Sequence, residues 1–138
     1  MGSLADWIFS GVLVRHPTLK LAYSEGQMGW IPYAMERADS VWKEVRGWAF
    51  DKDAVPEPPS TYFKRQVYAC FFRDNFGLKN IHDVGVDNVT FETDYPHTDS
   101  TWPHTKEVAE KMFSGLDAET IYKIVRGNAI RMLHLDLD

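Results

Sequence analysis

The chain has 138 residues, of which 44% are hydrophobic and 25% charged, a composition that supports one buried core and argues against intrinsic disorder. Its net charge of -5 includes no block of like charges, and no basic face of the kind a sequence-independent nucleic-acid binder needs is visible. Cys70 is the only cysteine, which excludes an internal disulfide framework, and no apolar run approaches the roughly 20 residues of a membrane span. With no signal-peptide pattern at the start, a soluble cytoplasmic domain with neither nucleic-acid nor membrane partners is expected.

Leu4 to Val14 carries apolar residues at helical spacing, and His16-Pro17 ends it because a residue before proline is driven out of the helical region. Leu19 to Ser24 predicts a short strand, closed by Gly26. Ile31, Ala34, Met35, Ala38, Val41, Trp42 and Val45 then fall on one face of a helix, with Pro32 near its start and Gly47 as its stop. Asp51 to Pro59 holds three prolines in a polar stretch and reads as a surface connection. Tyr62 and Phe63 lead into Val67–Phe72, a continuous apolar run rich in β-formers, as expected of a strand buried on both faces. A helical stretch from about Phe76 to Val84 ends at Gly85, a strand runs from Asn88 to Thr93, and a helix from about Thr105 to Phe113. Asp117 can cap a last helix whose buried stripe reads Ile121, Ile124, Val125, Ala129, Met132 and Leu133.

Strands alternating with helices predict right-handed crossovers and a parallel sheet covered by helices. In such folds ligands gather at the carboxyl ends of the strands. Those ends are Glu25, Phe72-Arg73-Asp74 and Thr93-Asp94, so two carboxylates are expected to project toward one rim. Such a pair can bind a divalent metal or supply a general base; it can equally cap a helix or hold a loop through a salt bridge. The loop from Asp94 to His104 concentrates two histidines, two aspartates and two prolines, but at no standard zinc spacing. Ser24 to Gly29 reads as a tight turn rather than a phosphate cradle, since no Lys-Ser/Thr ending follows. The aromatic residues, 14% of the chain, favour a wide core, pocket or interface; Trp30, Tyr33 and Trp42 could line a pocket, but their helical spacing favours core or interface for most of them. Cys70, inside a buried strand, reads as packing, and His82 and His134 as surface residues.

Four ordered blocks, Pro17-Thr-Leu-Lys-Leu-Ala-Tyr-Ser-Glu25-Gly-Gln-Met-Gly-Trp-Ile-Pro-Tyr33, Tyr62-Phe-Lys-Arg-Gln-Val-Tyr68, Asp87-Asn-Val-Thr-Phe-Glu-Thr-Asp94-Tyr-Pro-His97 and Gly127-Asn-Ala129, resemble the amidohydrolase-related family. The branch is that of the aminocarboxymuconate-semialdehyde decarboxylase-like enzymes, and the resemblance runs from about Leu4 to Leu135. It implies an α/β fold, the C-terminal portion of a (β/α)8 TIM barrel with about three parallel strands and flanking helices, with residues 1–138 forming a single partial-barrel domain. A complete barrel of this kind takes about 250 residues, and the family's other histidine ligands lie upstream of the part resembled. The resemblance further implies that Asp94 is both metal ligand and catalytic base, that Glu25 stands as a metal ligand where the family usually has a histidine, and that the cofactor is a divalent metal, zinc or another. His97, Trp30 and Arg73 are expected to bind substrate. The expected function is the C-terminal part of a metal-dependent hydrolase of a small organic substrate. Its alternatives are a carboxy-lyase of the same family, and a catalytically inert partial barrel that folds only by self-association, a homo-oligomer being expected in any case.

Overall fold

The computed structural model describes residues 1–45, 47–48 and 53–137, which form two compact units. The first comprises Met1–Leu21 and Trp30–Val67. The expected opening helix is two helices here, α1 (Gly2–Phe9) and α2 (Val12–Arg15). Gly11 between them breaks the run: its φ is 72°, and a Cβ there would lie 2.8 Å from the Ala54 carbonyl oxygen. α3 (Ile31–Val45) matches the predicted amphipathic helix; Ile31 is buried and the rest of the apolar face half-buried.

Where Tyr62 and Phe63 are expected only to lead into a strand, the chain forms a further helix, α4 (Pro59–Gln66). Its signal is present in the sequence: Pro59 occupies the first helical position, where the missing N–H goes unneeded. Asp39 of α3 completes that end, accepting from the Ser60 N–H at 2.9 Å and the Ser60 hydroxyl at 2.7 Å. At the other end, Gln66 donates from Nε2 to the His16 and Leu19 carbonyls. Leu4, Ile8, Leu13, Ile31, Val55, Tyr62 and Phe63 form the core of this unit. Asp51 and Lys52 of the proline-bearing connection lie outside the described residues; Asp53 to Pro58 forms neither helix nor strand.

The second unit comprises Ala22–Gly29 and Tyr68–Asp138. Three parallel strands, β1 (Leu21–Tyr23), β2 (Val67–Phe71) and β3 (Val89–Phe91), lie in the order β1-β2-β3. Ala69, Cys70 and Phe71 pair with Val89, Thr90 and Phe91. Every residue of β2 is buried, as the unbroken apolar run requires. Phe71 and Phe91 turn toward Phe113 at the end of α7 (Thr105–Phe113), and the three rings meet edge to face with centroids 5.3–6.2 Å apart. Each such pair contributes about 0.5–1.5 kcal/mol beyond its buried area.

Between β2 and β3 the expected single helix is two short ones, α5 (Asn75–Lys79) and α6 (Ile81–Val84). The last helical region begins as expected, with the Asp117 carboxylate accepting from the Thr120 N–H at 3.0 Å to cap α8 (Ala118–Tyr122). A π-helical turn, Lys123–Gly127, then joins α8 to α9 (Asn128–Leu133). The added residue per turn shifts the buried stripe. Thr120, Ile124 and Asn128 are buried, whereas Val125 and Leu133, expected inside, are 47% and 58% exposed. Asn128 is the polar member of that stripe. Its amide donates to the Val86 and Val89 carbonyls, 2.7 Å each, and so pins the entry of β3 to the start of α9.

Candidate metal centre

Glu25, Arg73, Asp74, Glu92, Asp94 and His97 all belong to the second unit. Two residues beyond β1, Glu25 adopts φ 60°; three residues beyond β3, Asp94 adopts φ 57°. Left-handed backbone at a residue with a Cβ costs roughly 1–2 kcal/mol, so each conformation persists only where its surroundings fix it.

For Asp94 those surroundings are its own loop. The Thr93 carbonyl accepts from the Thr101 N–H at 3.0 Å and the Ser100 hydroxyl at 2.7 Å, and the Asp94 carbonyl from the His97 N–H at 2.9 Å. Tyr95 and Trp102 stack edge to face across the same loop. For Glu25 the tie is distant in sequence: its N–H donates to Oε1 of Glu92 at 2.7 Å. The far end of the Glu25 loop is held by Asp74, whose Oδ2 accepts from the Met28 and Gly29 N–H groups at 2.8 and 2.6 Å. Asp74 Oδ1 meanwhile caps α5 through the Gly77 N–H at 2.7 Å.

These ties bring Glu25, Asp94 and His97 together. One ligand atom from each lies within 4.8 Å of the other two, the one such convergence of metal-ligating side chains among the described residues. His97 Nδ1 is 2.8 Å from Asp94 Oδ1 and 3.8 Å from Glu25 Oε1. The Asp94 side chain is only 6% exposed, against 58% for His97 and 56% for Glu25, so the trio opens to solvent from a sheltered carboxylate. The hydrogen bond to Asp94 raises the His97 pKa above its ordinary value, helped by the negative charges of Asp94, Glu25 and Asp99.

The carboxylate pair expected from the strand ends therefore does meet, and His97 joins it. Arg73 is exposed and donates from Nη1 to the Asp99 carbonyl at 3.4 Å, which ties the segments following β2 and β3. Trp30 lies in the first unit, half-buried immediately before α3, where its carbonyl accepts from the Ala34 N–H. Cys70 is buried; desolvation, with Glu92 adding to it, pushes its thiol up to about 12, an unreactive state. His82 and His134 are exposed. Sequence reasoning misses Glu92, although its place one residue beyond a buried strand marks it as a rim residue.

Parallel strands carrying this trio at their carboxyl ends define a class: part of a (β/α)8 barrel with a candidate metal centre at the end of the strands where such barrels do their chemistry. More particularly, the chain belongs to the amidohydrolase family, whose model matches residues 2–135. No curated protein sequence matches it. Among solved structures it is similar to an amidohydrolase from Mycobacterium avium subsp. paratuberculosis, with 23% identity over 98% of this chain and 33% of that one, at a TM-score of 0.80. It is similar also to 5-carboxyvanillate decarboxylase from Sphingomonas paucimobilis, with 23% identity over 97% of this chain and 39% of that one, at a TM-score of 0.76. A dihydroxybenzoic acid decarboxylase from Polaromonas sp. JS666, solved with bound manganese and the inhibitor 2-nitroresorcinol, shares 25% identity over 98% of this chain and 40% of that one, at a TM-score of 0.71. The chain thus spans 33–40% of the length of these structures. No helix among the described residues is long and apolar enough to cross a membrane.

Proposed function

We propose that Glu25 and Asp94 hold a divalent cation and that the chain is the C-terminal part of a metal-dependent hydrolase acting on a small organic substrate. The observation that carries this reading is the convergence of two carboxylates and an imidazole within 4.8 Å at the ends of β1 and β3. The donor set fits such an ion: carboxylate oxygens suit a hard cation such as manganese or magnesium, and one imidazole keeps zinc within reach. Left-handed backbone at both carboxylate residues supports the same reading, because strain of this kind collects at functional sites.

When bound, the cation supplies Lewis acidity. The chain's own groups do the rest. Asp94, sheltered from solvent, is placed to take up a proton, and the hydrogen bond between its Oδ1 and His97 Nδ1 gives that proton's charge a second home on the imidazole. Glu25, more exposed, completes the anionic rim. Arg73 offers a guanidinium to the carboxylate of an acidic substrate.

A second reading, a carboxy-lyase, is favoured by the similar structures that are decarboxylases, one of them with manganese. Both readings share the metal centre, so titration of the chain with Mn2+ comes first. Stoichiometric binding is expected, weakened about 100-fold or more in Asp94→Asn; absence of binding by the wild type overturns the metal centre. Release of CO2 from hydroxybenzoates, set against cleavage of amide and lactone substrates, then separates lyase from hydrolase. Self-association is proposed on a separate ground: in the three-stranded sheet β1 and β3 are both edge strands, and edges invite pairing.

A further inference from the structure

We infer that Glu92 is the positioning residue for the Glu25 arm of the metal centre, its carboxylate holding the Glu25 main chain in the left-handed conformation that sets Glu25 beside Asp94 and His97. The inference rests on the metal-centre reading and deepens it.

At φ 60° Glu25 occupies a conformation that a residue with a Cβ abandons unless held, and the tie its N–H makes is to Glu92 Oε1, 2.7 Å away and 67 residues further along the chain. An acceptor oxygen held this close to a main-chain N–H makes a short, well-formed hydrogen bond. Glu92 is itself well placed to hold it. Its N–H donates to the Phe71 carbonyl at 3.0 Å, which continues the β2–β3 register one step beyond the strands.

Side-chain alternation then directs the carboxylate. Phe91 faces the aromatic cluster with Phe71 and Phe113, so Thr90 and Glu92 share the opposite face of the sheet. Cys70, the register partner of Thr90, lies on that face too, and Glu92 is among the causes that raise its thiol pKa. Asp74 meanwhile fixes Met28 and Gly29 at the far end of the loop. Released at Glu25, the loop can turn back to negative φ and carry its carboxylate away from Asp94.

The test uses the full chain and two variants, with one readout that needs no metal. In Glu92→Ala, hydrogen exchange of the Glu25 amide is expected to accelerate at least about tenfold, and Mn2+ affinity to fall about 10–100-fold, the range for a group that orients a ligand from behind. Glu92→Gln keeps an acceptor oxygen without the charge, and is expected to retain both amide protection and Mn2+ affinity to within about threefold. The double variant Glu25→Ala/Glu92→Ala is expected to bind no more weakly than Glu25→Ala alone, since Glu92 acts only through Glu25.

Unchanged amide exchange in Glu92→Ala overturns the inference. So does a tenfold loss of Mn2+ affinity in Glu92→Gln with intact circular dichroism, which assigns Glu92 to the metal directly. If Glu92→Ala does not fold, Glu92→Gln decides alone, retention of protection and affinity supporting the inference and loss of either overturning it. If the wild type binds no Mn2+, the metal-centre reading fails by itself, and amide exchange at Glu25 still decides the role of Glu92.

Discussion

Asp74 and Asp94 stand at comparable places, each three residues beyond a parallel strand, and they meet opposite fates. The Asp74 carboxylate is fully engaged by main chain: it caps α5 and receives the N–H groups of Met28 and Gly29. The Asp94 carboxylate meets an imidazole and lies within reach of a second carboxylate. A rim address therefore does not by itself decide what a carboxylate meets. What separates the two is whether the oxygens are consumed by backbone donors, and that depends on loops arriving from elsewhere in the sequence.

Substitution sharpens the contrast. The largest expected effect on folding is at Asp74: Asp74→Ala strands three backbone donors and removes a helix cap, and is expected to destabilise the chain by about 2–4 kcal/mol in urea unfolding. The corresponding change at Asp94 removes no backbone partner of its carboxylate, so Asp94→Asn is expected to leave the unfolding midpoint close to that of the wild type. If the two variants unfold alike, the distinction drawn between the two aspartates is wrong.

A smaller effect, opposite in sign, is expected at Glu25. Glycine accepts φ 60° without steric cost, so Glu25→Gly is expected to stabilise the fold by about 1 kcal/mol while losing Mn2+ affinity. Loss of both stability and affinity would mean that the Glu25 side chain, rather than its backbone, holds the loop together.

The smallest effect is one of pH. Because the folded chain raises the His97 pKa above 6.5, chiefly through its hydrogen bond to Asp94, the contribution of His97 to stability is complete below 6.5 and fades as pH rises through the raised value. Proton NMR is expected to show that pKa falling back toward 6.5 in Asp94→Asn. A His97→Gln chain is expected to lose the decline in stability across that window. No change in the titration would remove Asp94 as the partner of His97.

Much of this was legible in the sequence. The apolar run at Val67–Phe71 and the alternation of strands with helices gave the parallel sheet, and the strand ends brought Glu25 and Asp94 to one rim. Two kinds of feature escaped. The first is set by a single residue's effect on phase: Gly11 divides the first helix, and the π-helical turn at Lys123–Gly127 carries the buried stripe from Ile124 to Asn128. A period read along an ideal helix cannot register either. The second is long-range polar pairing. The bonds from Glu92 to Glu25 and from Asp74 to Met28 join positions 67 and 46 residues apart, and no spacing rule along the chain links them.

Asn128 shows what one such pairing entails. Gly127-Asn-Ala129 stands out in the sequence as one of the four family-like blocks, but nothing along the chain gives Asn128 a task; its amide bolts both sides of the entry to β3, and Asp94 follows only five positions after Val89. Fraying or shortening of the C-terminal helix back to residue 127 would therefore not stay local: it would loosen the root of the strand from which the proposed ligand springs. An engineer wanting a smaller version of this chain can trim beyond α9 but must leave that asparagine, and the turn that presents it, in place.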